Sequence, residues 1–250
     1  MKKILLSSLV AAAFAVGSSN AQIIAQDIAS NYTTATWTNG ANLGSGWSAP
    51  WVITSNDGGT LIGTSANNGA TNSAPLNTSG VSFGLFGTDF VNAGRAFPSL
   101  SAGQQFSLGL SFQWDNGNRG INLLSGGSQV FNFNINTSGY TWTGGGVAAS
   151  TSWVGLRENG VFMTLTFTAT TNGFNYAFSS PQAASINNQS GSVTSGALSG
   201  FQAYVSGAGG DGGNMYINNL QVVPEPTTYA LLTLGALGMS GYAARRRARK

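Results

Sequence analysis

The ionisable side chains limit the chemistry that this sequence can perform. Residues 22–223 contain three arginines and six acids, hence a net charge of −3, and the whole chain has neither histidine nor cysteine. Disulfides, thiolate or imidazole metal sites and Cys–His or Ser–His catalysis are therefore excluded. The basic residues concentrate at the two ends of the chain. The basic isoelectric point thus gives no support for nucleic-acid binding by the central region.

A carboxylate pair could in principle support glycoside hydrolysis. That reaction needs two carboxyl groups about 5–10 Å apart across the sugar bond. Glu158 is the only glutamate of residues 22–223, and its setting, Arg157-Glu158-Asn159-Gly160, favours a solvated turn. A pair can form only through tertiary contacts between residues distant in sequence. We therefore predict that the protein is not an enzyme, with a polysaccharide hydrolase as the alternative.

Three loops could contribute oxygen ligands to a calcium ion. Asp57, Asp115 and Asp211 are each followed by glycine or asparagine, which places a carboxylate near amide oxygens. None has the alternating ligands of an EF-hand, and Asp/Asn/Gly clusters are also typical of hairpin turns. Asp115 and Arg119 could equally form a loop-stabilising pair. We predict no cofactor and no metal site, with structural calcium left open.

Tryptophans supply the remaining candidate site. Trp47, Trp51 and Trp142 lie at predicted strand ends or in loops rich in Gly, Ser and Thr. An exposed indole packs on the C–H face of a sugar while neighbouring amides bind its hydroxyls, so these residues predict a site for a neutral glycan. The alternative is that they close the ends of a β-sandwich as buried side chains. Trp114 continues an apolar strand face and is predicted to lie in the core.

The elements that must position these residues are strands. Apolar residues alternate with small or polar ones in four segments, 105–114, 131–136, 161–168 and 174–178. Asn172-Gly173 predicts a tight hairpin between the last two. Further strands are predicted at 81–86, 119–124, 201–205 and 215–222, with shorter candidates at 33–37 and 51–54. No segment has helical periodicity, so the sequence predicts an all-β fold: an antiparallel β-sandwich, jelly-roll-like, of about ten strands.

Asparagines line the polar face of one predicted strand. Asn132, Asn134 and Asn136 alternate with apolar residues between positions 131 and 136. This face is either a solvated sheet surface or a ladder through which copies of the chain associate.

The N-terminus has the pattern of a secretory signal peptide. Lys2 and Lys3 precede an apolar run at 4–16, and Ser19 and Ala21 provide the small residues of a signal-peptidase site. We predict cleavage after Ala21, with an uncleaved membrane anchor as the alternative.

The C-terminus combines a Pro-Glu-Pro motif, an apolar run and a basic end. Pro224 and Pro226 fix φ and remove backbone donors, so the globular part must end before Pro224. Residues 227–244 carry no charge and could form a helix near the lower length limit for spanning a bilayer. Five basic residues at 245–250 follow, and the positive-inside rule keeps them in the cytoplasm. An amphipathic or buried helix is the alternative.

This order of parts resembles the PEP-CTERM sorting signal of Gram-negative, biofilm-forming bacteria. The resemblance implies that Pro224, Glu225 and Pro226 are recognised by an exosortase-type membrane enzyme that cleaves near the motif. It also implies transient anchoring of the tail in the inner membrane, followed by release or transfer to the cell surface. Residues 216–223, which lead into the motif, resemble the closing strand of concanavalin-like jelly rolls.

The sequence thus predicts three segments: a signal peptide at 1–21, a β-sandwich at 22–223 and a sorting signal at 224–250. The expected protein is exported to the cell surface or extracellular matrix, is not an enzyme, and binds exopolysaccharide. Its expected partners are signal peptidase, an exosortase-type enzyme and exopolysaccharide, with no nucleic acid. The alternatives are a secreted jelly-roll glycoside hydrolase and a self-assembling structural protein.

Overall fold

A computed structural model describes residues 23–65, 74–152, 160–180, 182–208 and 214–224. The predicted signal-peptidase site at Ser19 and Ala21, the motif residues Glu225 and Pro226, and the predicted membrane span lie outside these residues. None of the helices in the described part of the chain has the length and apolarity needed to cross a membrane.

Strands and short 3₁₀ turns form the described part of the chain. The 3₁₀ turns are Ala29–Asn31, Ala74–Leu76 and Thr78–Gly80. The strands are β1 (Ala25–Asp27), β2 (Val52–Gly63), β3 (Ser82–Ala96), β4 (Gln105–Phe112), β5 (Asn118–Ser125), β6 (Ser128–Asn136), β7 (Gly139–Gly144), β8 (Val147–Ser152), β9 (Met163–Thr170), β10 (Gly173–Ser179), β11 (Gln189–Thr194), β12 (Gly200–Ser206) and β13 (Met215–Val223).

The strands form one antiparallel sheet that folds into a sandwich. Its order is β11-β10-β9-β4-β13-β3-β12-β5-β6-β7-β8, with β1 added to β13 and β2 to β3. The long strand β3 links the two layers, because its first residues pair with β13 and its last residues pair with β12. The all-β sandwich predicted from the sequence is confirmed.

Aromatic side chains fill the space between the layers. Phe131 and Phe133 of β6 pack on Phe167, Phe174 and Phe178 of β9 and β10, with ring centroids 4.9–5.9 Å apart. All five are buried. Such aromatic pairs stabilise a core by about 0.5–1.5 kcal/mol each beyond the area they bury. Strict alternation in these strands therefore sends one face of each layer into a shared core.

A buried ion pair holds the N-terminal strand in place. Asp27, at the end of β1, pairs with Arg95 of β3, and both side chains are inaccessible to solvent. The same carboxylate oxygen accepts hydrogen bonds from Tyr32 Oη and Trp51 Nε1, each at 3.0 Å. Burial raises the pKa of Asp27, and the Arg95 guanidinium and these two donors oppose that shift.

Loop 41–50 wraps around Arg95. The Arg95 guanidinium donates to Ala49 O at 3.0 Å and to Asn42 Oδ1. It also lies 5.0 Å from the centre of the Trp47 ring and 5.8 Å from that of the Trp51 ring. The Arg95 guanidinium therefore connects loop 41–50 to β1 and β3. Buried ion pairs need such additional partners to offset their desolvation.

Most predicted strands are present, and their deviations have local causes. The hairpin at Asn172-Gly173 is confirmed by the pairing of Gly173 with Thr170. The predicted strand at 33–37 is wrong, because these residues form turns in which Trp37 N donates to Thr33 O. The candidate at 51–54 is the start of the longer strand β2. Four strands were not predicted: β1, β7, β8 and β11.

Strand β13 is the last strand of the described residues and ends at Val223, next to Pro224. It pairs with β4 on one side and with β1 on the other, and Val223 lies opposite Gln105. Val222 is buried, whereas Val223 and Pro224 are half-buried. The structure of residues 225–250 lies outside the described part of the chain, so the boundary before Pro224 stays a prediction.

Candidate functional site

The outer face of β12, β5 and β6 carries a hydrogen-bonded ladder of amides. Asn132 Nδ2 donates to Asn122 Oδ1 at 2.8 Å, and Asn122 Nδ2 donates to Gln202 Oε1 at 3.2 Å. On the other side Asn134 Nδ2 donates to Asn118 Oδ1 at 3.1 Å. We call this set, together with Tyr204, the amide face.

Tyr204 joins the two halves of the amide face. Its hydroxyl accepts from Asn132 Nδ2 at 2.9 Å and donates to Asn134 Oδ1 at 2.8 Å. Gly120 lies beneath it, since a Cβ there would come within 3.0 Å of Tyr204 Oη and 1.8 Å of Phe133 O. Burial raises the pKa of Tyr204 to about 12, so the hydroxyl keeps its proton at neutral pH.

The amide face has the chemistry of a neutral, preorganised surface. Each carboxamide has two donor hydrogens and an oxygen with two lone pairs, so the ladder leaves further hydrogen-bonding capacity on every member. Strand pairing places Thr141 and Thr143 of β7 opposite Asn134 and Asn132. The result is a surface of amides and hydroxyls without a formal charge.

An open cleft adjoins this surface. It has a volume of about 340 Å³ and lies where turn 144–145, beside β7 and β8, approaches the end of β11. Gln129, Thr143, Thr194 and Ser195 provide its polar lining. A cavity of this size is at the small end of the range for ligand sites.

The three candidate tryptophans do not share an exposed groove. Trp51 is fully buried and Trp142 is 3% exposed, so the expectation that these indoles are open to a sugar is wrong. Their N–H groups are used inside the protein, by Asp27 and by Tyr176 Oη respectively. Both rings fill the core, which is the alternative weighed from the sequence.

Trp47 and Trp114 also have specific environments. Trp47 is half-buried over Arg95 and donates to Gln26 O at 2.9 Å. Trp114 is 50% exposed, so its predicted place in the core is wrong. The reason is that β4 ends at Phe112, and the alternation no longer fixes which side Trp114 faces.

The described acids lie in three places, and Asp57 and Asp89 share one of them. Asp27 is held by Arg95, while Asp57 and Asp89 are exposed at an irregularity of the β2–β3 pairing. Asp89 Oδ2 accepts from Asn56 Nδ2 at 2.5 Å, and Thr88 Oγ1 donates to Asp57. Among the described residues no group of three acids, histidines or cysteines is placed to hold a metal ion. Glu158 and Asp211 lie outside them.

Asp115 belongs to a buried polar cluster. It is 1% exposed. Desolvation lowers the pKa of the fully buried Arg119, the charge of Asp115 opposes this shift, and together they bring the pKa to about 10. This electrostatic interaction favours the Asp–Arg pair over calcium binding, the two alternatives that the sequence left open at this turn. Asn116 Nδ2 donates to Ala208 O and so connects the same turn to the residues that follow β12.

Sequence reasoning found only part of the amide face. Asn132 and Asn134 were recognised as one polar strand face, but Tyr204 and Gln202 were not connected with them. Their alternation with the buried Phe201, Ala203 and Val205 was the available signal. Only the register, in which β12 pairs with β5 and β5 with β6, brings the three strands together.

Comparison with known proteins identifies the tail and the fold. The model of the PEP-CTERM protein-sorting motif matches residues 222–247. No curated protein sequence matches the chain.

Several solved structures are similar in fold. A sialidase matches with a TM-score of 0.54 at 15% identity, over 83% of this chain and 19% of the sialidase. The receptor binding domain of a botulinum neurotoxin mosaic serotype C/D matches at 0.47 and 9% identity, over 86% of this chain and 51% of that one. A Caenorhabditis elegans galectin matches at 0.35 and 18% identity, over 52% of this chain and 88% of the galectin.

These likenesses concern architecture only. The chain spans about a fifth of the sialidase and about half of the toxin domain, so nothing of their activity passes to it. The sorting motif says more about this chain than the structural likenesses do, because it implies an exported protein that an exosortase processes at the membrane. The chain is thus a jelly-roll-like β-sandwich that carries a PEP-CTERM protein-sorting motif at residues 222–247.

Proposed function

We propose that this protein is a non-enzymatic component of the cell surface or extracellular matrix that binds a neutral exopolysaccharide through the amide face. Signal peptidase removes the leader, and the exosortase acts on the tail at Pro224, Glu225 and Pro226. The folded sandwich then works outside the inner membrane.

The amide face is the observation that supports the binding proposal. Sugar hydroxyls are both donors and acceptors, and a preordered row of carboxamides can match them with little loss of side-chain entropy. The surface has no charge that would favour an anionic polymer.

Affinity electrophoresis of the protein in gels containing neutral or anionic polysaccharides tests this proposal. We expect retardation by a neutral polymer. Asn132→Ala should weaken binding about five- to tenfold, since one hydrogen bond contributes about 1 kcal/mol and Asn132 orients two neighbours. Asn175→Ala, an exposed asparagine on β10 in the opposite layer, is the matched control and should bind normally. Equal binding by both variants contradicts the proposal.

The non-enzymatic part of the proposal needs its own measurement. Reducing-sugar release from the retained polysaccharide should equal the buffer blank. Release that disappears in Glu158→Gln or Asp89→Asn would favour the hydrolase instead.

Self-assembly is the second candidate function, and the sheet edges favour it. The two ends of the strand order are β8 and β11, with the sequences VAASTS and QSGSVT. Edge strands are usually protected by charged residues or proline, and neither strand has one. Sedimentation velocity should reveal concentration-dependent assembly that Ser150→Lys, on the β8 edge, abolishes. Ser138→Lys, in the β6–β7 turn, is the control and should assemble like the wild type.

A further inference from the structure

Among the described residues, Asp57, Asp89 and Asp115 lie at one end of the sandwich, away from the end of β13, whereas the buried Asp27–Arg95 pair lies nearer to it. The two ends of strand β12 mark the two ends of the sandwich. Gly200 lies at one end, and Ser206 lies about 20 Å away at the other. We call these ends the tail pole and the distal pole.

Hydrogen bonds connect the turns of the tail pole to one another and to the end of β13. Val223 pairs with Gln105, and the preceding loop 97–104 bonds to loop 195–199 through Leu100 N and Leu198 O at 2.8 Å. Turn 125–128 joins the same group, since Gly126 N donates to Ser199 Oγ at 3.0 Å. These segments, residues 23–24 and turn 171–172 contain no charged residue. Ile23, next to the departing strand, is 44% exposed.

The distal pole carries the described acids other than the buried Asp27. Asp89 O accepts from Gly207 N at 2.7 Å, directly after the end of β12. Asp57 lies across from Thr88, and Asp115 begins the turn that contacts Ala208 through Asn116. Within the described part of the chain, the turns of the tail pole therefore carry no charged side chain, and the distal pole carries three acids.

The tether to the apolar tail is short. Only residues 224–228 separate Val223 from the apolar run that begins at Tyr229. Five extended residues span at most about 18 Å, and two of these five are prolines that restrict the chain further. An anchored tail therefore holds the tail pole beside the bilayer.

Resting on the proposed sorting function, we infer that the tail pole is a docking surface for the lipid bilayer, with the distal pole pointing away from it. Repulsion between carboxylates and anionic lipid is strong only within a Debye length of about 8–10 Å. The exposed Asp57 and Asp89, near the far end of β12, lie beyond that layer in this orientation. The strands of the amide face then stand upright on the membrane, and the face stays open to polysaccharide.

The absence of cysteine permits a direct test by single-cysteine labelling. The full chain is reconstituted into vesicles of phosphatidylcholine and phosphatidylglycerol and isolated by flotation. Ser101→Cys reports on the tail pole and Ser138→Cys on the distal pole, and both serines are exposed. Each variant is labelled with a membrane-impermeant maleimide, with and without a 12-residue Gly/Ser insertion between Val223 and Pro224.

We expect the native tether to slow labelling of Ser101→Cys at least fivefold relative to the form with the insertion. The rate for Ser138→Cys should be the same in both forms. Equal rates for Ser101→Cys on floated vesicles would overturn the orientation and leave the sorting proposal intact. A chain that does not float with vesicles would instead refute membrane anchoring by the tail, and both proposals would fall with it.

Discussion

Replacing Arg95 by methionine tests the physical basis of the fold. Methionine keeps most of the apolar stem but leaves the Asp27 carboxylate without its cation in a site closed to solvent. Removing one partner of a buried ion pair costs about 3–5 kcal/mol. The hydrogen bond to Ala49 O and the contact with Trp47 are lost too. We therefore expect a loss of about 4 kcal/mol in the free energy of unfolding at pH 7.

Urea unfolding followed by tryptophan fluorescence measures this loss. The double variant Asp27→Asn/Arg95→Met should recover more than half of it, since no unpaired charge remains and the asparagine oxygen can accept from Tyr32 or Trp51. Burial raises the pKa of Asp27 already in the wild type. Because the folded-state pKa of Asp27 lies above its unfolded value, the contribution of this carboxyl group to the free energy of unfolding is fully present below about pH 4. That contribution is lost as the pH rises.

The cost of Arg95→Met relative to wild type should accordingly shrink when both are compared near pH 4. A cost below about 1 kcal/mol that does not change with pH would refute the reasoning.

Two further predictions concern the amide face. The pKa of Tyr204 is raised to about 12, above its unfolded value near 10, so the wild type should lose up to about 2 kcal/mol as the pH rises from 10 to 12. Tyr204→Phe should lack that part of the alkaline loss in urea titrations, and identical pH profiles would contradict the assignment. Gly120→Ala should lower the free energy of unfolding by more than 2 kcal/mol, because the added methyl meets the backbone oxygen of Phe133. A normal melting temperature for this variant would show that β5 and β6 are less rigidly paired than the structure indicates.

The strands with strict alternation could be predicted because each layer has one buried face. Phe131 and Phe133, or Leu165 and Phe167, are buried for the same reason that they alternate with polar residues. Strands β8 and β11 lack this signal. They consist of small and hydroxylated residues and depend on backbone pairing with β7 and β10.

Burial of the tryptophans could not be predicted from composition around them. Trp51 follows a loop of small residues, yet the loop itself is drawn inward by Arg95, which is distant in sequence. Burial of Trp142 could have been predicted from the alternation of β7, since Tyr140 and Trp142 share one face of this strand and both are buried. The ion pair joins residues 68 positions apart and has no local signature.

The amide face shows the same division between local and long-range information. The polar alternation of β6 was visible in the sequence, whereas the neighbours of Asn132 depend on the register among three strands. For the tail, by contrast, all of the necessary information is local. Its motif, apolar run and basic end are contiguous, so the sequence alone was sufficient to recognise it, and the family match at residues 222–247 confirms that recognition.

Mass measurement of the mature protein, combined with cell fractionation, tests the central claim most directly. The account predicts an extracellular or surface-bound product that begins at Gln22 and ends near the Pro-Glu-Pro motif. It also predicts that replacing Pro224, Glu225 and Pro226 by alanine leaves an uncut tail in the membrane fraction. A full-length wild-type chain recovered from the cytosol, with both ends intact, would contradict the account.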